Sequence, residues 1–306
     1  MNKGVPPLCV IAGPTASGKS GLAVTLAQRA NGVIVNADSA QVYSDLQVLS
    51  ARPGADEMGG IEHRLFGHRD GAVSCSAADW ASEARAVIAE VQGRGQLPIL
   101  VGGTGLYLRT LLDGIAEVPP IDPVTRSEVR TAPVADNHRR LAEHDPEAAA
   151  HLHPNDTTRI ARALEVVLST GRNLKDWQAR TVGGIRGKVT LLGTVLMPAA
   201  DMLSAAIDQR FCAMVEGGAI DEVSRLLARR LSPALPVMRA IGVPEIVSFL
   251  TGNTDRSAMI AAGQLATRQY AKRQRTWFRG QELGLAREAD RDAALRGLLA
   301  DAKESG

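Results

Sequence analysis

Aromatic side chains make up only 3% of the 306 residues, so a packed interior has to be filled by aliphatic side chains and alanine. An apolar content of 45% is ample for that. Cysteine is equally sparse. Cys9, Cys75 and Cys212 lie far apart, with no CxxC pair and no even framework, which argues against a disulfide scaffold or a zinc ribbon and suits a reducing compartment. Charge of one sign is not in surplus: the formal net charge is +2, and clustering says more about partners than such a sum does. No apolar run approaches the length needed to cross a bilayer, and Leu8 to Ala12 is too short for the core of a signal peptide. The chain is expected to be soluble and cytoplasmic, with no membrane contact. His144, His151 and His153 lack acidic or thiol partners at metal-binding spacing, so His153 is read as structural, just ahead of a helix.

What is present is an alternation of short apolar runs and helical periodicities. Leu8–Ala12, Val33–Val35, Leu97–Val101 and Val189–Met197 read as buried strands. Leu22, Leu26 and Ala30 recur at helical spacing before Asn31-Gly32, and Ala77–Gln92 is a second helix. Strands alternating with helices imply a parallel sheet with covered faces. From Val118-Pro119-Pro120 to about Lys188 the character changes to charged, helix-like segments without a strand. The clearest runs from an N-cap at Asp156 to a C-cap at Gly171, with Ile160, Leu164, Val167 and Leu168 on one face and Arg159 and Arg162 off it. The expected fold is α/β: a P-loop NTPase-like parallel sheet core with helices on both faces, built from residues 1–118 and 189–306, and a small all-helical insert domain at 119–188.

GPTASGKS, Gly13-Pro14-Thr15-Ala16-Ser17-Gly18-Lys19-Ser20, matches G-x-x-x-x-G-K-[ST] between a strand and a helix, the context that gives this motif meaning. Successive N–H groups of Thr15 to Ser20 are expected to point into one concavity at a helix N-terminus. Lys19 adds a full charge, and Ser20 can sit on Mg²⁺. Such a cradle holds a diphosphate equally well on a nucleotide or on something else. Two habits of nucleotide hydrolases are missing: no apolar strand ends in a Walker B aspartate, and no N-K-x-D motif occurs. The nearest acid is Asp38, at the carboxyl end of the second strand, where α/β sheets place ligand-contacting groups. Three roles are open to it from the sequence: holding Mg²⁺, capping a following helix, or acting as a base.

Between Arg256 and Gln281 there are six basic residues and no acidic one. Arg268, Lys272, Arg275 and Arg279 recur along one side of a helix. Taken alone the stripe reads as a solvated face. Like charges one turn apart repel, however, and the stripe makes better sense opposite a polyanionic backbone. Trp277 and Phe278 on the same helix read as core anchors.

Taken together these stretches closely resemble the tRNA dimethylallyltransferases, also called IPP transferases. The matching segments are GPTASGKS, DSAQVY at 38–43, SAAD at 76–79, PILVGGTGLY at 98–107, HPNDTTRIARALEV at 153–166, QRF at 209–211 and ATRQYAKRQRTWFR at 266–279, in family order. The resemblance implies transfer of a dimethylallyl group from dimethylallyl diphosphate to N6 of the adenine 3′ of the anticodon, in tRNAs that read U-starting codons. The products would be N6-isopentenyladenosine and diphosphate. The partners would be the tRNA anticodon stem-loop and the prenyl donor, with Mg²⁺ as cofactor and a monomeric enzyme. Asp38 resembles the general base, Thr104 the residue that hydrogen-bonds the reacting centre and touches tRNA, and Arg210 the arginine that grips the diphosphate. Gly13 to Ser20 match the diphosphate-binding loop, with Ser20 toward the metal. Asp38-Ser39-Ala40-Gln41 and Thr158-Arg159-Ile160-Ala161-Arg162 match tRNA-contacting segments, Arg126 matches an insert-domain arginine, and the helical insert is implied to close over the anticodon loop.

The types suit that chemistry. An exocyclic adenine amine is a weak nucleophile, and a carboxylate accepting its proton contributes about 10²–10⁴-fold. The adenine must leave its stack to reach a buried site, as bases in single-stranded loops can. Two segments depart from the family pattern. Leu49-Ser50-Ala51-Arg52-Pro53 stands where relatives often read G-T-A-K-P. Val243-Pro244 replaces an aromatic and a basic residue in a tRNA-touching stretch that usually reads R-x-x-G-Y-[KR]-[EQ]. Two other readings stay beside this one: a P-loop nucleoside or small-molecule kinase, and a non-catalytic RNA-binding protein.

Overall fold

The computed structural model of the chain describes residues 4–305. In chain order the first part of the core contains β1 (Pro7–Ala12), α1 (Lys19–Arg29), β2 (Gly32–Asn36), β3 (His63–Arg64), α2 (Ala77–Gly93), β4 (Leu97–Gly102) and α3 (Gly105–Asp113). The insert follows with β5 (Ile115–Ala116), α4 (Pro123–Thr131), α5 (Val134–His144), α6 (Pro146–His151), α7 (Thr157–Thr170), α8 (Leu174–Gln178) and β6 (Thr181–Val182). The chain then returns through β7 (Thr190–Leu196), α9 (Ala200–Glu216), α10 (Ala219–Ala228), α11 (Val243–Leu250), α12 (Arg256–Gly280), β8 (Ala286–Glu288) and α13 (Arg291–Ser305).

Six strands form one parallel sheet in the order β3-β2-β4-β1-β7-β8. The period of two along a strand decides which core each side chain joins. On β1, Leu8, Val10 and Ala12 enter the cluster under α2, α3 and α9 to α12. Cys9 and Ile11 enter the opposite one, with Leu22 and Leu26 of α1 and Ala294 and Leu298 of α13. A strand buried on both faces has no polar alternation, which is why the central strands read as unbroken apolar runs.

Two of the few aromatics fix the carboxyl end of β2. Trp80 of α2 is fully buried, stacks on Tyr107 with centroids 4.6 Å apart, and donates its Nε1–H to the Asn36 carbonyl at 2.8 Å. A Ser76–Asp79 capping box starts that helix. The last strand positions of β2 are thereby held two residues short of Asp38.

The chain divides into two compact units. One comprises the residues up to Leu112 and from Ile185 onward; the other is Asp113–Gly184. The insert therefore starts and ends some residues earlier than the composition change suggested. It is also not all-helical: β5 and β6 form a short antiparallel ladder, Ile115 opposite Val182 and Ala116 opposite Thr181. Two further strands, β3 and β8, were not expected. Each of these is two or three residues long and lies at a sheet edge or in the small ladder, and Ala286-Arg287-Glu288 shows the charge that edge strands carry. No period can be read from so few residues. The insert core gathers Val129, Leu141, Ile160, Leu164 and Val167, and α7 has the Asp156 and Gly171 caps expected from the sequence.

Candidate active site

β1 ends in the core and the chain turns through Gly13 to Gly18 before α1 begins. Gly13 sits at φ 144°, where a Cβ would lie 2.4 Å from the Leu196 carbonyl oxygen, so the close approach of the loop to β7 requires glycine. Lys19 donates from Nζ to the Pro14 carbonyl at 2.6 Å. Burial pushes its ammonium down to about 8, with Asp38 opposing the shift and Arg210 adding to it. One expectation is corrected here. The Thr15 N–H does not point into the concavity; it donates to Oε1 of Gln274 on α12 at 2.8 Å. The Thr15 hydroxyl is engaged by the Arg210 guanidinium from α9.

Asp38 follows β2. Asn36, fully buried, fixes its backbone on both sides: Oδ1 accepts from the Asp38 N–H at 2.8 Å and Nδ2 donates to the Asp38 carbonyl at 3.0 Å. Asp38 Oδ1 accepts from the Ala40 N–H at 3.0 Å. Turns follow rather than a helix, so the helix-capping role is excluded. Thr104 stands across from this segment. Its Oγ1 accepts from the Ser39 N–H at 2.9 Å and lies 3.2 Å from the Ser39 hydroxyl. Gln41 turns its amide to the Ser50 and Ala51 carbonyls at 3.0 and 2.9 Å, which pins the departing Leu49–Pro53 segment beside Asp38.

Two adjoining cavities meet at Thr15, Asp38, Ser50 and Arg210. The first, of about 310 Å³, runs along the loop from Thr15 to Gly21. The second, of about 350 Å³, has Thr15, Asp38 and Arg210 at one end and Leu49, Ile207, Phe211, Met214 and Ile241 elsewhere on its wall. Charged groups that suit a diphosphate and apolar side chains thus line one space, with Tyr270, Arg239 and Arg273 among them. Arg210 is largely buried, and burial lowers its guanidinium while Asp38 holds it up. Ser20 and Asp38 line the first cavity and offer a hydroxyl and a carboxylate, oxygen donors that suit a hard cation such as Mg²⁺. Among the described residues no cluster of three or more His, Cys, Asp or Glu occurs. An ion here would therefore take few protein ligands and rely on phosphate and water oxygens, which is how Mg²⁺ is commonly bound.

The basic stripe lies on α12 as expected, but it is not a free face. Arg268 pairs with Asp208, and Arg275 donates to the Pro198 carbonyl at 2.6 Å. Lys272, Arg273 and Arg279 remain exposed. Phe278 is buried and Trp277 packs partly buried against the core. The charge pattern of this helix draws the eye to its basic residues and away from Tyr270 and Gln274, which share its site-facing side. Tyr270 lines the second cavity. Burial raises its phenol above the usual range, opposed by hydrogen bonds to Thr104 and Gln274. Nothing in the local sequence sets these two apart from Thr267, Gln269 or Thr276. Arg239 and Ile241, from the departing segment, also line the cavity. Val243 and Pro244 do not; Val243 is buried in the core and Pro244 sits in the first turn of α11.

The remaining site residues belong to the insert. Arg126 is on α4, and Thr158 to Arg162 are in the first turns of α7. Ile160 and Ala161 are buried in the insert's own core, so only Thr158, Arg159 and Arg162 keep side chains for a partner. Thr158, Arg159 and Arg162 line a cavity of about 610 Å³ with residues of α6 and α8. Burial lowers the Arg162 guanidinium, Glu165 opposes this, and Arg126 and Arg130 add to it.

The IPP transferase family model matches residues 41–281. A tRNA dimethylallyltransferase from Sphingopyxis alaskensis is 62% identical over 275 residues, which is 90% of each chain. Among solved structures, the full-length tRNA isopentenylpyrophosphate transferase of Bacillus halodurans superposes with a TM-score of 0.70 at 33% identity, over 97% of this chain and 98% of that one. A eukaryotic dimethylallyltransferase captured acting on tRNA superposes with a TM-score of 0.76 at 30% identity, over 89% of this chain and 70% of that one. With the P-loop sheet, the Asp38–Ser39–Thr104 network and the adjoining cavities, these similarities mean that the chain belongs to the IPP transferase family.

Proposed function

We propose that the protein is a tRNA dimethylallyltransferase, moving the five-carbon group of dimethylallyl diphosphate to N6 of the adenine 3′ of the anticodon in tRNAs that read U-starting codons. The observation that carries this reading is the cavity that joins the polar groups of Thr15, Asp38 and Arg210 to the apolar side chains of Leu49, Ile207, Phe211, Met214 and Ile241, with Arg239, Tyr270 and Arg273 also on its wall. A diphosphate fits the first set and an isoprenoid the second. A kinase reading is not favoured: β4 ends in Gly102 with no acid after it.

In the transfer, the N6 lone pair forms a bond to C1 of the prenyl group as the C1–O bond breaks and its electrons leave with the diphosphate. Asp38, held by Asn36 and by the Ala40 N–H, takes the N6 proton. Thr104 hydrogen-bonds near the reacting centre through a hydroxyl already oriented by Ser39. The amides of Ala16 to Ser20, Lys19 and Arg210 stabilise the charge that develops on the leaving group. Ser20 would hold Mg²⁺, which when bound neutralises part of the charge on the diphosphate. Arg126, Thr158, Arg159 and Arg162 of the insert are assigned to tRNA, with Ser39, Ala40 and Gln41 of the core. One chain supplies the loop, carboxylate and arginine, which supports a monomeric enzyme, and a tRNA substrate supports a cytoplasmic one.

The test is transfer of labelled dimethylallyl diphosphate to unmodified tRNA, with and without Mg²⁺, followed by digestion to nucleosides. Label in N6-isopentenyladenosine, dependent on Mg²⁺, is expected. Phosphoryl transfer from ATP with no label in tRNA would overturn the assignment.

A further inference from the structure

The geometry points to Gln274 as a positioning residue that latches the donor-holding loop to the base-bearing side of the site, and so sets the distance across which the prenyl group travels. Gln274 is buried, 5% exposed, in the middle of α12. Its Oε1 accepts from the Thr15 N–H at 2.8 Å and its Nε2 donates to the Gly103 carbonyl at 2.9 Å. Both partners are backbone groups with one possible role each, so the amide orientation is fixed by chemistry. Gly103 makes room for it: a Cβ there would lie 2.2 Å from Nε2. The Thr104 N–H binds the Ala37 carbonyl at 3.2 Å and its hydroxyl binds Ser39. A continuous path runs from the phosphate loop through one side chain to the segment that carries Asp38.

The same amide changes what the loop can hold. An N–H pointing into a phosphate cradle is a donor for an anion. At Thr15 that donor is already satisfied inside the protein, so the cradle begins at Ala16 and has one fewer group for a longer polyphosphate.

This inference rests on the prenyl transfer proposed above, and wild-type transfer of label to tRNA is the control that separates the two. Gln274→Met keeps the volume and removes both backbone hydrogen bonds, together with the one to the Tyr270 phenol. Its expected signature is a kcat lower by at least about tenfold, a KM for dimethylallyl diphosphate that is unchanged or lower, and tRNA affinity within about twofold of wild type. A purely structural role would raise KM, weaken tRNA binding and lower kcat together. Should Gln274→Met fold poorly, Gly103→Ala disturbs the same contact from the other side. The Gly103→Ala and Gln274→Met losses in kcat should be strongly non-additive in the double variant, because both break one latch. An active wild type with kcat within about twofold in either single variant, or with fully additive losses in the double, overturns the inference.

Discussion

The core unit and the insert use their charged groups in opposite ways. In the core, cations near the site are engaged by the protein itself: Lys19 by the Pro14 carbonyl, Arg210 by Thr15, Arg268 by Asp208 and Arg275 by the Pro198 carbonyl. In the insert, Arg159 projects with its side chain 77% exposed, 3.6 Å from Asp156. Arg126, Arg130 and Arg162 share the neighbourhood of one buried carboxylate, Glu165. The engaged cations orient atoms in the first unit, while Lys272, Arg273 and Arg279 of α12 stay exposed; in the second, three guanidinium groups around Glu165 make a local surplus that suits a surface meeting phosphate. A count of arginines along a helix cannot tell these apart.

The largest expected effect tests the core half of that contrast. Asp38→Ala should lower turnover by about 10²–10⁴-fold, with tRNA affinity within about twofold, read by single-turnover transfer and by filter binding. A loss of tRNA binding that matches the loss of rate would make Asp38 an anchor and not a base. Glu222 comes next. Its carboxylate, 5% exposed, accepts from the N–H groups of Gln47, Val48 and Leu49 at 2.6, 3.0 and 2.9 Å. Glu222→Ala removes the acceptor of three backbone N–H groups, of which the Leu49 one is buried, and should cost about 1–3 kcal/mol in denaturant unfolding. Because Leu49 lines the cavity, the KM for the prenyl donor should also rise. An unchanged unfolding midpoint would mean that water replaces the carboxylate.

What was legible in the sequence divides along similar lines. The central strands could be located because burial on both faces leaves unbroken apolar runs, and α7 because its caps are an aspartate and a glycine. Asp38 and the loop were visible because a strand end and a glycine pattern mark them locally. The short edge strands were invisible for want of period. Gln274 was invisible for another reason: its partners lie 259 and 171 positions away, and nothing in the stretch around it announces a contact of that range. The sequence could not show that Arg268 and Arg275 of the basic stripe are engaged, because their partners, Asp208 and the Pro198 carbonyl, come from a different part of the chain. The resemblance supplied residue roles that spacing alone left open, and it marked Arg239–Glu245 as a departure without showing that Val243 would be buried.

The pH dependence separates the two units again. The Lys19 ammonium, lowered from its ordinary 10.5 to about 8 by burial, is lost as pH rises through that value in the free enzyme. The kcat/KM for dimethylallyl diphosphate should therefore fall above about pH 8, by up to about tenfold per unit. The arginines of the insert do not titrate there, so tRNA affinity should stay level over the same interval. A donor kcat/KM that is flat to about pH 9.5 would show that Lys19 keeps its proton without a bound anion.

The smallest effect sets one arginine from each unit side by side. Arg159→Ala removes an exposed charge with a weak partner, and tRNA affinity should fall a few-fold, the slope of log K against log salt becoming shallower by about 0.7–0.9. Arg275→Ala removes the same formal charge from the basic stripe of α12, but that guanidinium is bonded to the Pro198 carbonyl. Its loss should lower the unfolding midpoint and leave the salt slope nearly unchanged. Equal slope changes in the two variants would mean that α12 meets phosphate as directly as α7, and that a guanidinium spent on a carbonyl in the free protein can be released to a polyanion when one arrives.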